Sequence, residues 1–238
     1  MNSVKVTFDL FEERLIHIQN LMRMGYSNKI ILSILMVLAS VSCGDAGLKK
    51  AEDALIDIKG RLSPPTTVVV QPFEGFPDSD LDYVVKRLKV DFTGSVVVRE
   101  AVPLPKEAYN RPRSRYYADS LLNFLSRRVG RNEKIVGLTH RDMGSKKNST
   151  PLFGRMGLGN RGGNQCVVSS VRVYKRGRRP DNLYKVVVHE LGHTWGLGHC
   201  TVKTCYLRDA MGGNPLNEET GFCDECKSYL NKRGWRFP

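Results

Sequence analysis

Residues 189–200 read "HELGHTWGLGHC", which places three of the chain's five histidines within twelve positions. The run that leads into it, "DNLYKVVVHELGHTWG", has the spacing of a long helix capped at Asp181. On such a helix His189 and His193 stand four residues apart. Their imidazoles then leave one face a turn apart and can share one metal at about 2.0–2.1 Å. Glu190 sits beside the first of them, near enough to take a proton from a bound water without being a ligand. Gly196 permits a backbone turn that other residues resist, and the reversed chain can bring His199 to the same metal. Three neutral imidazoles leave a fourth position for water, the open coordination of a catalytic zinc. In a chain of this composition His-Glu-x-x-His arises by chance about once in two hundred, and with Gly196 and His199 at their spacing about once in a hundred thousand. Histidines satisfied inside a buried core helix are the alternative. Leu191 and Trp195 need no metal role and are expected to pack the helix against a sheet.

Upstream, "TTVVVQPF" from Thr66 is rich in β-branched residues and reads as a buried strand. "DSDLDYVVKRLKVDF" opens on Asp78 and Ser79 and puts Leu81, Val84, Val85 and Leu88 on one helical face. "GSVVVREAV" reads as a second strand, "RSRYYADSLLNFLSRRV" as a second helix ended by Gly130, and "KIVGLTH" as a third strand. Residues 143–165 are rich in glycine and asparagine and read mostly as loop, with a short strand at Leu152–Arg155. "CVVSSVRVY", from Cys166, reads as a further strand. Strands alternating with helices argue for a three-layer α/β or α+β arrangement.

The cysteines continue the pattern. Cys200 follows the last histidine at once, Cys205 comes after four intervening residues, and Cys223 and Cys226 form a C-x-x-C. Two pairs separated by 17 residues have the look of a closed four-thiolate zinc site. Two disulfides are the alternative, favoured by an oxidising compartment. Cys166 is left over and reads as a small buried apolar residue.

"HELGHTWGLGH" matches the extended motif of the metzincin metalloproteases, and with the four cysteines it resembles the archaemetzincin family. "YN" at Tyr109–Asn110, "RYYADSLLNFL", "KIVGLTHRDM", "LFGRMGLG" and "VVSSVRV" fall in that family's order, so the resemblance covers roughly residues 66–230. It implies an α+β, metzincin-like fold. That fold has a twisted mixed β-sheet, two packed helices, an active-site helix and a small C-terminal part at 200–238, built on a four-cysteine zinc site, within a protease domain spanning 64–238. It implies two zinc ions, one catalytic on His189, His193 and His199, and one structural on Cys200, Cys205, Cys223 and Cys226. Glu190 would be general base and acid in the hydrolysis of peptide or protein substrates. An extended substrate would lie along an edge strand, for which Leu152–Arg155 is the candidate. One departure stands out. The family's methionine lies two residues after the second cysteine, in a turn beneath the catalytic metal, and this chain has Leu207 there. The glycines after Met211 suit a tight turn, so Met211 is expected to fill that role. The interval from Cys205 to Cys223 is also two residues shorter than is usual in the family.

Composition sets the outer limits. A hydrophobic content of 41% and a charged content of 26% over 238 residues fit a soluble globular protein. The net charge of +13 suits nucleic acid, anionic lipid or acidic polypeptide as partner, or simply a solvated basic surface. No RNA-binding aromatic motif, zinc-finger spacing or helix-turn-helix signal supports nucleic acid. "IILSILMVLASV", residues 30–41, is too short to span a bilayer and suits the core of a signal peptide. Ser42 and Cys43 follow, resembling the lipobox of bacterial lipoproteins, in which the cysteine is lipidated. Residues 1–43 therefore read as a signal segment, with the true start expected at Met24. A buried N-terminal helix is the alternative. Residues 44–63 read as a tether. Cleavage before Cys43 would remove four basic and three acidic residues and leave +12. The expected place is the cell envelope, held by the lipid anchor, with the cytoplasm as the alternative and a monomer as the expected state. The expected function is a zinc-dependent peptidase. A zinc-stabilised, catalytically inactive peptide-binding module is the competing reading, and Glu190 argues against it.

Overall fold

The computed structural model describes residues 66–147 and 150–237. The signal-like segment, Cys43 and the tether lie outside the described residues. Along the chain come β1 (Thr67–Pro72), α1 (Asp78–Asp91), β2 (Val96–Val98), β3 (Tyr109–Asn110), β4 (Arg115–Tyr117), α2 (Ala118–Ser126), β5 (Glu133–Thr139), β6 (Met143–Lys147) and β7 (Thr150–Arg155). Then follow β8 (Gly157–Gly159), β9 (Gln165–Ser169), α3 (Ser170–Val173), α4 (Pro180–Thr194) and α5 (Asp224–Asn231).

The main sheet has the order β2-β1-β5-β9-β8. Its first four strands are parallel, and β8 closes it as an antiparallel edge, Leu158 opposite Val167. The β-branched runs are buried on both faces, as strands between helix layers must be. Val68, Val70, Val136 and Val168 share a core with Val84 and Leu88 of α1 and with Leu183, Val187 and Leu191 of α4. The alternate residues Val69, Ile135 and Val167 pack with Leu121 and Leu125 of α2 on the opposite face. Each such side chain stabilises the fold by about 1.5–3 kcal/mol relative to exposure. The result is the expected mixed sheet between helix layers, and Cys166 lies wholly buried in it.

A second sheet, β3-β4-β6-β7, departs from the reading of residues 143–165 as loop. β6 and β7 form an antiparallel pair, with Gly144 opposite Gly154 and an irregularity between Ser145 and Lys147. Its tie to the body is Asp142. That carboxylate accepts from Arg172 Nε and Nη2 at 2.7 and 2.9 Å and from Arg115 Nε at 2.8 Å, while Arg115 Nη1 donates to the Leu152 carbonyl at 2.9 Å. Three other boundaries shift. The second helix starts only at Ala118, because Arg115–Tyr117 is drawn into strand pairing with β3 and β6. The strand from Cys166 ends at Ser169, where the chain turns into α3. α4 begins at Pro180, with Arg179 before it, so Asp181 lies in the first turn and does not cap it. There it pairs with Arg87 and Lys185 at 3.3 and 3.5 Å.

The chain after α4 has little regular structure and is docked by aromatic rings. Trp235 meets Phe92 and Trp195 with ring centroids 5.0 and 5.3 Å apart, and Tyr229 donates to the Trp195 carbonyl at 2.9 Å. Trp195 thus joins the end of α4 to the C-terminal segment.

Candidate active site

α4 stops where it does because of Gly196, which adopts φ +100°. Its N–H donates to the His193 carbonyl at 2.8 Å, and the Leu197 N–H reaches the Gly192 carbonyl at 3.2 Å. These are the paired closing bonds of a left-handed helix end, for which glycine is the least strained residue. The reversal brings His199 back to His189 and His193, with ring centroids 5.5 and 4.9 Å away.

The outer nitrogens of the rings are all engaged. His189 Nδ1 donates to the Tyr206 carbonyl at 2.6 Å and His193 Nδ1 to the Leu197 carbonyl at 2.8 Å. His199 Nδ1 faces Asp209 Oδ2 at 3.5 Å. A carbonyl only accepts, so the proton of His189 and of His193 is on Nδ1 and the lone pair is on Nε2. The two Nε2 atoms are 3.0 Å apart. Two lone pairs that close repel unless a cation lies between them, and a tetrahedral zinc would set its ligand nitrogens about 3.3 Å apart. One donor atom from each histidine lies within 4.8 Å of the others. Burial, then the neighbouring His193, pushes His189 down to about 3, and burial also lowers His193. Both are neutral imidazoles at pH 7, the form that binds metal. The donor set fits zinc.

Glu190 is 6% exposed. β8 lies against it. A Cβ on Gly157 would overlap the Glu190 carboxyl group, and one on Gly159 would come 2.7 Å from the Glu190 carbonyl and 3.1 Å from His193 Cβ. Only glycine allows the edge strand so near the helix. Burial pushes the Glu190 carboxyl up to about 8, against the opposing pull of the Arg155 charge and of a hydrogen bond from the Gly159 N–H.

The four C-terminal cysteines converge separately. All are free thiols, their sulfurs lie within 4.8 Å of one another, and Cys200 Sγ and Cys223 Sγ are 3.7 Å apart. A tetrahedral zinc–thiolate site at about 2.3 Å requires sulfurs about 3.7–3.8 Å apart. The N–H groups of Val202, Leu207 and Cys223 point at these sulfurs from 3.4–3.5 Å. Burial pushes Cys205 up to about 11, so this thiol ionises readily only with a cation beside it. The geometry favours four thiolates on one ion over two disulfides.

A cleft of about 630 Å³ runs over the histidines and Glu190. One expectation is corrected there. Met211 does not lie beneath the site: its side chain is 84% exposed in a left-handed turn at φ +46°. Leu207 is fully buried, and its Cδ2 would stand 3.2 Å from a Cβ on Gly192, in the middle of α4. The strand nearest Glu190 is β8, the edge of the main sheet. Leu152–Arg155 is an edge of the second sheet and lines the cleft further along. The sequence reading missed Asp209, Arg155 and Arg161, all of which line the cleft. The alternation R-x-G-x-G-x-R at 155–161 was the available signal for the two arginines.

A mixed sheet with a glycine edge over a His-Glu-x-x-His helix defines a zinc-dependent metallopeptidase. The profile of peptidase family M54 matches residues 77–232, and the chain belongs to that family, the archaemetzincins. An archaemetzincin of Haloquadratum walsbyi is 29% identical over 171 residues, spanning 65% of this chain and 96% of its own length. One of Methanopyrus kandleri is 31% identical over 150 residues, spanning 60% and 81%. The crystal structure of the Methanopyrus kandleri archaemetzincin superposes with a TM-score of 0.60 at 25% identity, over 72% of this chain and 97% of that one. The Archaeoglobus fulgidus archaemetzincin, complexed with malonate, superposes with a TM-score of 0.56 at 24% identity, over 69% and 99%, a likeness of fold.

Proposed function

We propose that Glu190 performs the proton transfers of peptide-bond hydrolysis at a zinc held by His189, His193 and His199, and that Cys200, Cys205, Cys223 and Cys226 hold a second, structural zinc. Zinc, when bound, supplies a Lewis acid that lowers the pKa of water to about 7 and polarises the scissile carbonyl. His189 and His193 arrive neutral, with Nε2 turned inward by their Nδ1 partners. Glu190 takes the proton of the attacking water and passes it to the leaving amine. Its buried carboxyl group is fixed beside the ligand histidines by the Gly159 N–H and the close approach of β8. Gly157 and Gly159 bring a free strand edge over it, and an extended peptide adds to that edge by main-chain hydrogen bonds.

The observation that carries this reading is the convergence of three histidines and a buried glutamate under a side-chain-free strand edge. An inactive peptide-binding module would have no use for Glu190 in that place. The test is a peptide-library digest by the full chain. Cleavage that a chelator abolishes and zinc alone restores is expected, and cleavage indifferent to chelation would refute it.

We also propose that Cys43 carries a lipid anchor and places the enzyme in the cell envelope, supported by the apolar run ahead of Ser42. Palmitate label in the membrane fraction of the parent and not of Cys43→Ser is expected. An unlabelled, soluble parent that keeps residues 1–42 contradicts it.

A further inference from the structure

The cleft carries cations that the hydrolytic chemistry does not use. Arg155 and Arg161 both line it, one just before and one just after the glycine edge of β8. Arg155 ends β7, a bend at Met156 leads into β8, and Arg161 stands in the turn that follows, while Gly157 and Gly159 are the two that meet Glu190 and His193. Arg155 lies within coulombic reach of Glu190, and Arg161 within reach of His193. Neither forms an ion pair among the described residues. Arg155 Nε donates to the Ser145 hydroxyl at 2.8 Å, with its guanidinium 5.5 Å from the Phe153 ring centroid. Arg161 Nε donates to the Gly196 carbonyl at 3.0 Å. Neutral partners orient these guanidiniums by hydrogen bonds, and neither meets a carboxylate at ion-pair distance among the described residues. Exposed Lys175, also in the lining, adds another such charge.

The cleft's other charges are matched. Arg172 is bidentate to Asp142, and Arg208 pairs with Glu218 at 2.6 Å. Among its carboxylates, Asp209 faces His199 and Glu219 is buried facing the charges of Lys185 and Arg208.

We infer that this peptidase selects acidic peptides, with Arg155 and Arg161 receiving carboxylate side chains of the substrate on the two sides of the scissile bond. The inference rests on the peptidase reading and names its substrate class. The two arginines flank the three residues of the β8 edge, one before it and one after it. The acidic residues of a substrate strand lying along β8 therefore fall towards its two ends, on either side of the scissile bond.

The test uses the full, zinc-loaded chain and matched fluorescent peptides that carry Glu, Gln or Lys around a common central pair. The Glu peptide is expected to exceed its Gln counterpart in kcat/KM by about five-fold per recognised carboxylate, with Lys lowest and the preference shrinking as salt rises. Arg155→Gln and Arg161→Gln are each expected to move the Glu-to-Gln ratio towards one, and Arg155→Lys to recover part of it. A second readout needs no hydrolysis. In the Glu190→Gln chain the Glu peptide is expected to bind more tightly than the Gln peptide by fluorescence anisotropy. Equal binding and cleavage of Glu and Gln peptides would overturn the inference. So would a preference unchanged in both arginine variants, or one lost on amidating the peptide's C-terminus and not on Glu-to-Gln exchange. Tight binding of acidic peptides with no cleavage of any peptide would contradict the peptidase reading and leave this inference standing.

Discussion

Gly157 lies against the carboxyl group of Glu190 so closely that a Cβ at residue 157 would overlap the glutamate's Cγ, Cδ and Oε1. The carboxylate therefore owes its position to the absence of a side chain on the neighbouring strand. Gly157→Ala is expected to displace it, lowering kcat by about a hundred-fold or more while zinc stays bound. Steady-state kinetics with zinc analysis on the same sample checks this; a parent-like kcat would show that Gly157 does not set the position of Glu190.

Leu207 and Met211 divide in the opposite way from what turn chemistry suggests. Leu207 is fully buried against Gly192, whereas Met211 is 84% exposed. Leu207→Ala is expected to cost about 2–5 kcal/mol. Met211→Ala should change stability by no more than about 0.5 kcal/mol. Denaturant unfolding of both variants decides it, and the reverse ranking would return Met211 to the support of the site.

This pair shows where the sequence stopped being informative. The spacing of His189, Glu190, His193, Gly196 and His199 is local, so the helix, its stop and the returning histidine were legible. The valine runs of β1 and β9 were legible for a similar reason, since strands buried on both faces are apolar throughout. The β6–β7 pair was not. Its glycines and asparagine-rich surroundings signal loop, and what makes it a sheet is pairing with β4 and the arginines on Asp142, from residues 115 and 172. Met211 misled for the opposite reason. The glycines after it do make a turn, but burial is decided by which side chain reaches Gly192, a tertiary fact. Asp209, ten residues beyond His199, could not be tied to that ring by spacing alone.

Glu219 gives a pH signature. Burial, eased by the charges of Lys185 and Arg208, pushes its carboxyl up to about 7 from 4.5. A raised carboxyl favours the folded state when protonated. Its contribution is complete below pH 4.5 and is lost as pH rises through 7. Glu219→Gln should therefore gain on the parent by about 1–3 kcal/mol at about pH 8 and by little at about pH 4.5. Urea midpoints at equal zinc loading check the difference; a gain at low pH only would reverse the sign.

Two donor sets of different chemistry should release metal differently. Two zinc ions per chain are expected, with the three-histidine site emptying under mild chelation and refilling, and the four-thiolate site resisting. Elemental analysis and thiol titration of the denatured protein report both. One zinc per chain with Cys200, Cys205, Cys223 and Cys226 oxidised would favour disulfides.

The division of labour between Glu190 and the histidines is tested most directly by one side-by-side measurement on the parent and Glu190→Gln, zinc content against peptide hydrolysis. The amide keeps the shape of the side chain but cannot accept the proton. The account predicts equal zinc in both proteins and at least a hundred-fold loss of kcat in the variant, of the order general-base removal costs. A variant that holds the same zinc and cleaves at the parent's rate would contradict it.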